Sequence, residues 1–213
     1  TRTSLRAQID RAEFGGRDFG GIELDAELDS QRLSGRISDR DEALRLLLSV
    51  SGTLTEREQR IGLSGSVFGF DLAALGVSPE PIGGSFALDA SASAAGKGAY
   101  AARIALDSIE IRNKHRTDRI RPTSVSLHTD SAATRAEAAS GDLSLTFSTP
   151  QSADSLIAAL TRSARALAGQ IDAQSIDMEQ LKPALPDFAL RVSAGPDNIL
   201  NSLLKSRKIA FDA

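Results

Sequence analysis

The chain has no cysteine, no tryptophan, one tyrosine and one methionine among its 213 residues. Without cysteine it can form neither a disulfide nor a thiolate metal site. Aromatic residues make up only 4% of the sequence, so few bulky side chains are present to fill an interior. No run approaches the roughly 20 consecutive apolar residues that a membrane-spanning helix needs.

A strong net charge is also lacking. The net charge is -3 with 25% charged residues, which is typical of an ordinary water-exposed surface and argues against a nucleic-acid binder. The N-terminus has no basic-then-apolar signal pattern. Because the sequence begins and ends in strand-like segments, TSLRAQI and IAFDA, we expect a piece of a longer protein whose targeting segment lies elsewhere.

An alternation of apolar and polar residues with a period of two runs through most of the chain, and it is clearest in residues 83–127. Phe86 and Leu88 begin one such run, Tyr100 and Ile104 belong to the next, and a third extends from residue 120 to 127. This period is typical of strands with one apolar side and one wet side. We therefore predict a mainly β protein of about ten antiparallel strands.

The strand at residues 22–29 carries an acidic residue at every second position. These are Glu23, Asp25, Glu27 and Asp29. Alternate residues on a strand lie about 7 Å apart, and no acidic loop converges on them, so the pattern favours a solvated face over a calcium site.

Three segments depart from the strand pattern. Asp71 can cap, and Gly76 can end, a short helix or compact loop that closes one end of the sheet. The alanine-rich residues 132–139 fit either a strand or a helix. Residues 151–185 have helical spacing and predict a helical hairpin, which is either a lid on an open sheet end or a mobile partner-binding arm.

The predicted organisation follows from these breaks. We expect a β-rich trough or sheet over residues 1–150, a helical hairpin insertion over 151–185, and a strand–helix–strand segment over 186–213 that returns to the sheet. The three parts form one structural unit.

No pattern for catalysis or metal binding is present. His115 and His128 lie in different segments, the serines lack a nucleophile-elbow motif, and the glycines match no phosphate loop. Carboxylates sit mainly in turns and on wet faces rather than converging in pairs. We predict a non-enzymatic protein with no catalytic residues, no metal and no cofactor.

The basic run Arg112, Lys114, Arg116, Arg119 and Arg121 has two interpretations. Its cations can meet anionic lipid headgroups, or they can be the solvated tip of a hairpin with acidic neighbours. No aromatic residues are interleaved with them, so we expect no nucleic-acid partner.

The segment from Leu143 onward carries a distinctive order of motifs. A strand, LSLTFS, precedes the amphipathic hairpin, and Pro186 then begins the pattern P-x-F-x-L-x-x-S-A-G-x-x-N-x-L, followed by LLK and IAFD. Over residues 140–213 this resembles the interior of TamB-type translocation and assembly module proteins of the AsmA-like superfamily, particularly the Bacteroidetes versions. The earlier strands fit this family by character only.

The resemblance implies a periplasmic location, as part of an inner-membrane-anchored envelope protein that supports outer-membrane biogenesis, phospholipid transport and protein secretion. It implies a sheet curled into a taco-like trough or flattened barrel with an apolar inside. It also implies an outer-membrane barrel-assembly protein as partner, and no catalytic residues.

We therefore predict an apolar groove that shelters phospholipid acyl chains, because each buried methylene contributes about 0.8 kcal/mol without any polar contact. For each lining residue the alternative is an ordinary closed core. The corresponding alternative for the whole chain is a β-sandwich interaction scaffold with a closed core, no lipid groove and binding at its edges. The candidate lining residues are Leu24, Leu28, Leu46, Leu48, Val50, Leu63, Phe86, Leu88, Ile104 and Leu106.

Overall fold

The computed structural model describes residues 2–9, 12–14, 17–19, 21–96, 98–172, 177, 179, 182, 185–198 and 201. Over these residues the chain is mainly antiparallel β-structure with a helix, α1, after thirteen strands. The elements are β1 (Arg2–Ile9), β2 (Ala12–Phe14), β3 (Arg17–Phe19), β4 (Ile22–Asp29), β5 (Arg32–Arg40), β6 (Leu44–Leu54), β7 (Glu58–Asp71), β8 (Gly83–Ala95), β9 (Ala99–Arg112), β10 (Thr117–Ile120), β11 (Thr123–Thr129), β12 (Thr134–Ser140), β13 (Leu143–Thr149), α1 (Ala153–Asp172) and β14 (Ala189–Ser193).

Twelve of the strands form one antiparallel sheet. Its order is β1-β4-β5-β6-β7-β8-β9-β11-β12-β13-β14, with β10 paired to β9 beside this path, while β2 and β3 pair separately. Nearly every strand lies beside its neighbour in sequence, so the sheet is a meander. The prediction of a mainly β, antiparallel fold is confirmed. The flattened-barrel form is wrong for the described residues, because β1 and β14 end the sheet without pairing to each other.

Little of the described chain is a buried core. The buried apolar residues are Leu48, Val67, Ile109 and Ala159. The accessible surface of the chain is 14767 Å², against about 9,500 Å² for a globular monomer of this mass. The large sheet therefore has one layer over most of its area.

Proline decides where one predicted strand breaks. The alternation from residue 120 to 127 predicts one strand, but β10 ends at Ile120 and β11 begins at Thr123. Pro122 has no N–H to donate to a neighbouring strand, so the ladder is interrupted there. The ambiguous segment 132–139 forms the strand β12, which is paired on both sides.

After Asp71 the chain forms a compact loop, which is one of the two predicted forms, and not a short helix. The Oδ1 atom of Asp71 accepts hydrogen bonds from the N–H groups of Ala73 and Ala74 at 2.9 and 3.1 Å. Gly76 ends the turn with a φ of 74°. The N–H of Leu72 donates to the carbonyl of Ile82 at 2.8 Å and closes the loop against the start of β8.

Helix α1 corresponds to the first half of the predicted hairpin. Ser152 caps it, since its Oγ atom accepts a hydrogen bond from the N–H of Ser155 at 3.3 Å. Ala159 is buried, but Ile157 and Leu160 on the same helix are exposed. The second half of the hairpin predicted over residues 151–185 falls largely outside the described residues, and it stays a prediction.

Candidate functional site

One face of the large sheet is apolar across its whole width. Directly paired residues of an antiparallel sheet lie on the same face, so the strand register identifies the members of each transverse row. The central row contains only apolar side chains and one glycine. It consists of Leu5, Ala26, Gly35, Val50, Leu63, Ala90, Ile104, Val125, Ala138, Leu145 and Val192, one from each of the eleven strands on the path.

The two flanking rows continue this surface, which we call the apolar face. On one side the row has a single polar member, Thr3, and contains Leu28, Leu33, Gly52, Ile61, Ala92, Ala102, Leu127, Ala136, Phe147 and Leu190. On the other side the row is apolar from β1 to β9 and becomes polar at Thr123 and Ser140. Its members up to β9 are Ala7, Leu24, Ile37, Leu48, Gly65, Leu88 and Leu106.

The opposite face, called the polar face, carries serine, threonine and charged residues at the alternate positions. One of its rows has a single non-polar member, Gly62. The row is Ser4, Glu27, Ser34, Ser51, Gly62, Ser91, Arg103, Ser126, Glu137, Thr146 and Arg191. The acidic residues of β4 lie on this face, as their alternation predicts.

The structure places all ten predicted lining residues on the apolar face. Leu24 and Leu28 lie on β4, and Ile104 and Leu106 lie on β9. The others are Leu46, Leu48 and Val50 on β6, Leu63 on β7, and Phe86 and Leu88 on β8. They therefore share one surface over five of the strands.

Most of these side chains are not enclosed. Leu48 is buried with 8% of its surface exposed, whereas Ile104 is 50% exposed. The remaining eight are half-buried. Leu48 thus fits the closed-core alternative, and Ile104 is in contact with solvent.

The predicted lining residues do not include any residue of β11 to β14. Val125 and Leu127 on β11, and Leu190 and Val192 on β14, are exposed apolar residues on the same face. Their alternation carries the same signal as that of the residues chosen. The alternation does not show how strands pair, so it could not predict that these later strands contribute to the same surface.

A cluster of threonines closes one end of the apolar face. The Oγ1 atoms of Thr129 and Thr134 lie 2.9 Å apart, and Thr134 donates to the carbonyl of Gln151 at 2.8 Å. The proton of Thr134 is used in that bond, so Thr129 donates to Thr134 and accepts from the N–H of Ala153 at 3.0 Å. The start of α1 is therefore fixed to this end of the sheet.

The other end of the face carries aromatic and aliphatic side chains and one buried carboxylate, Asp39, which lies opposite Leu46. The rings of Phe70 and Phe86 lie with their centroids 6.1 Å apart. Between Val67 and Phe70 the register of β7 shifts by one residue. This β-bulge brings Phe70 onto the apolar face, although Ser66 and Phe68, at the same alternation, lie on the polar face.

The C-terminal motif forms a polar clasp. The side chain of Asn198 is buried, and its Nδ2 atom donates to Asp142 Oδ1 at 2.8 Å and to the carbonyl of Gly195 at 2.7 Å. Its Oδ1 atom accepts from the N–H of Asn201 at 3.0 Å. The hydrogen bonds from Asn198 and from the N–H of Asp197 hold the pKa of Asp142 below its ordinary value. Arg121 donates to Asp197 at 2.8 Å.

The basic run lies largely in ion pairs. Arg116 pairs with Asp118 at 2.6 Å and Arg119 pairs with Glu110 at 3.1 Å, while Arg121 pairs with Asp197. Three of its five cations therefore have a carboxylate partner. This geometry favours the hairpin-tip interpretation.

The described residues bring no three histidine, aspartate or glutamate side chains close enough to hold a metal ion. Nor does the described part of the chain contain a helix with the length and hydropathy to cross a membrane. The chain matches no protein-family model, no curated protein and no solved structure. The fold and its surfaces thus define a class, a single-layered open antiparallel sheet with one apolar and one polar face, and no particular family.

Proposed function

We propose that this chain is a non-enzymatic segment of a cell-envelope protein whose apolar face shelters phospholipid acyl chains. The observation that carries the proposal is the central row from Leu5 to Val192, in which no polar side chain interrupts eleven successive strands. Contiguous exposed apolar surface of this extent is rare on soluble proteins and marks an interaction site.

The dimensions suit acyl chains. Eleven strands about 4.8 Å apart extend over about 48 Å along the sheet. A bilayer core of about 30 Å holds two acyl chains end to end, so one chain is about 15 Å long. A chain that buries half of about 14 methylenes on the sheet gains about 5 to 6 kcal/mol.

The chemistry of the face favours lipid over protein. A protein interface typically has about one hydrogen bond per 100–200 Å². The three rows of the apolar face offer no side-chain donor or acceptor between β4 and β9. Acyl chains need no polar partner, so a purely apolar surface is sufficient for them.

Curvature of the sheet into a taco-like trough belongs to the same proposal. Strand twist and the register shifts in the β6–β7, β7–β8 and β8–β9 pairings supply the bending that such a shape needs. The resemblance of residues 140–213 to TamB-type proteins adds the setting. It suggests a periplasmic segment of an inner-membrane-anchored protein that supports outer-membrane biogenesis together with an outer-membrane barrel-assembly protein.

The free edges favour a second candidate function, a protein-interaction scaffold. β1 and β14 each have one side without a strand partner in the described sheet, and such edges can pair with a strand of another protein. The β-sandwich form of this alternative requires a closed core. The few buried apolar residues of the described chain weigh against that form.

Photocrosslinking to lipid tests the proposal. A photoreactive residue at Leu88 or Ile104 faces the apolar side, and the same residue at the next position, Asp89 or Ala105, faces the polar side. Each variant is mixed with phospholipid vesicles, irradiated and analysed by native mass spectrometry. We expect lipid adducts at Leu88 and Ile104 and not at their neighbours. Equal yields on both faces, or no adducts at all, would reject acyl-chain binding.

A further inference from the structure

Two large apolar side chains are exposed on the polar face. Leu47 is 41% exposed and Phe68 is 57% exposed. Leu47 lies between Ser38 and Ser66 in the strand register, so its cross-strand neighbours are hydroxyl residues. An exposed apolar pair within a polar surface is the unusual feature.

The β-bulge of β7 creates this arrangement. Leu46 pairs with Val67 and Arg45 pairs with Gly69, so Phe68 is the extra residue, with no partner of its own on β6. Bulges re-aim side chains and are frequent beside functional sites. Here the bulge leaves Phe68 beside Leu47 on the polar face.

Three exposed arginines, Arg36, Arg40 and Arg45, surround the pair. Arg40 on β5 lies directly opposite Arg45 on β6, which places their Cβ atoms about 5 Å apart and is unfavourable for like charges. Neither they nor Arg36 form an ion pair with any residue in the described ranges. The carboxylate of Asp25, opposite Arg36, is paired with Arg6 at 3.2 Å.

These residues line one concavity of about 600 Å³, together with Glu23, Ser38, Asp39 and Leu46. Its three arginines outnumber its two carboxylates, Glu23 and the buried Asp39, so the lining has a net positive charge. An apolar floor with such a rim is complementary to an anion that has an apolar part. The concavity is open on one side, and ligand sites for small molecules usually enclose most of the ligand. Because its floor lies between exposed arginines, a protruding side chain can enter it more readily than a flat bilayer surface can.

We propose that the concavity around Leu47 and Phe68 docks an acidic segment of a partner protein, with one apolar anchor residue on the floor and carboxylates against Arg36, Arg40 and Arg45. Aromatic residues and arginine are the types that dominate protein interfaces. The acidic segment relieves the repulsion between Arg40 and Arg45. Apart from Asp39 and Leu46, the lining residues lie on the face opposite the acyl-chain surface. Leu88 and Ile104, which test that surface, do not line the concavity, so the two proposals can fail separately.

The test uses a fluorescently labelled acetyl-EEFEE-amide peptide and its glutamine analogue as probes, with binding measured by fluorescence anisotropy. We expect saturable binding of the acidic peptide that weakens with salt, and no binding of the glutamine analogue. Phe68→Ser, and separately the double variant Arg40→Gln/Arg45→Gln, should each weaken binding at least about tenfold. Arg103→Gln, an exposed arginine elsewhere on the same face, should leave it unchanged.

Leu47→Ser serves as a second apolar variant if Phe68→Ser does not fold. Equal binding of the two peptides, or no effect of the four substitutions at the site, overturns the proposal. Vesicles of phosphatidylglycerol and of phosphatidylcholine are tested in parallel. Binding to the anionic vesicles that depends on Phe68, without peptide binding, overturns it in favour of a membrane contact. Self-association that Phe68→Ser abolishes, seen by sedimentation, overturns it in favour of a second copy of the chain.

Discussion

The Nδ2 atom of Asn198 donates a hydrogen bond of 2.8 Å to Asp142, a residue 56 positions earlier in the chain. Asp142 belongs to the turn between β12 and β13, and Asn198 follows β14. The N–H of Asp142 also donates to the carbonyl of Asp197 at 3.1 Å. These hydrogen bonds therefore hold Asp197 and Asn198 against the turn between β12 and β13.

Replacing Asn198 with alanine should destabilise the protein. Its amide is buried and makes three hydrogen bonds. The substitution removes one of the donors to the carbonyl of Gly195 and to the carboxylate of Asp142, and it leaves the N–H of Asn201 without the acceptor on Asn198. We expect a loss of about 1–3 kcal/mol in the free energy of unfolding, measured by urea denaturation. Ser193→Ala, at an exposed position of β14, is the control and should change little. Equal effects of the two substitutions would show that the clasp contributes nothing.

The same clasp predicts a dependence on pH. The pKa of Asp142 is lowered in the folded state by Asn198 and Asp197, so the contribution of its carboxylate is fully present above the ordinary aspartate pKa of about 3.9. That contribution is lost as the pH falls from there through the lowered pKa. Asp142→Asn removes the titrating carboxylate. The melting temperature of this variant should therefore fall less than that of the wild-type protein as the pH drops below about 3.9. The measurement is the melting temperature of both proteins between pH 2 and pH 7, in steps of about half a unit. Parallel curves would contradict the prediction.

The threonine cluster should stabilise the start of α1. Thr134→Val keeps the shape of the side chain but removes the hydroxyl that donates to Gln151 and accepts from Thr129. We expect a loss of about 1–3 kcal/mol and faster hydrogen exchange in the first turn of α1. Thr146→Val on β13 is the control, because the side chain of Thr146 makes no hydrogen bond within the described chain. An unchanged rate of hydrogen exchange in α1 would show that the threonine cluster does not stabilise the helix.

Gly65 is a position where only glycine fits. Its φ is 152°, and a Cβ atom there would overlap the carbonyl oxygen of Leu47. Gly65→Ala should therefore cost more than about 2 kcal/mol, since the backbone of β6 or β7 must shift. A Cβ atom at Gly62, on the same strand, would lie 3.2 Å from the Ser51 hydroxyl and 3.8 Å from the nearest backbone oxygen. Gly62→Ala should therefore cost less than about 1 kcal/mol. Thermal unfolding of both variants tests the difference, and equal costs would be inconsistent with the close approach at Gly65.

Two valines distinguish an open apolar face from a closed core. Val67 is 6% exposed and Val125 is 49% exposed, and both lie on the apolar face. Val67→Ser should cost about 2–4 kcal/mol, because it leaves a cavity and buries a hydroxyl. Val125→Ser should cost about 1 kcal/mol or less, because its side chain already contacts water. A loss at Val125 as large as at Val67, measured by denaturant unfolding, would indicate that a further layer covers this part of the sheet.

The sequence by itself determined the strands, their faces and several of their ends. A period of two places successive side chains on opposite faces of their own strand, which is why Leu24 and Glu23 of β4 lie on opposite sides. Asp71 and Gly76 also define their loop through local interactions, because a capping side chain and a residue with positive φ each act within one turn. The break at Pro122 is also encoded locally, because proline has no N–H to donate, although the alternation predicted one strand across it.

Only the tertiary structure decided which strands meet, and that the described sheet stays open. Strand order brings Val192 into line with Leu5 across the whole sheet, sets Asn198 against Asp142, and places Arg40 opposite Arg45. These relations join residues on separate strands or at distant positions in the chain, and no local period encodes them. Whether an apolar face becomes a core or a surface depends on what lies across from it, which is a property of the whole assembly of strands.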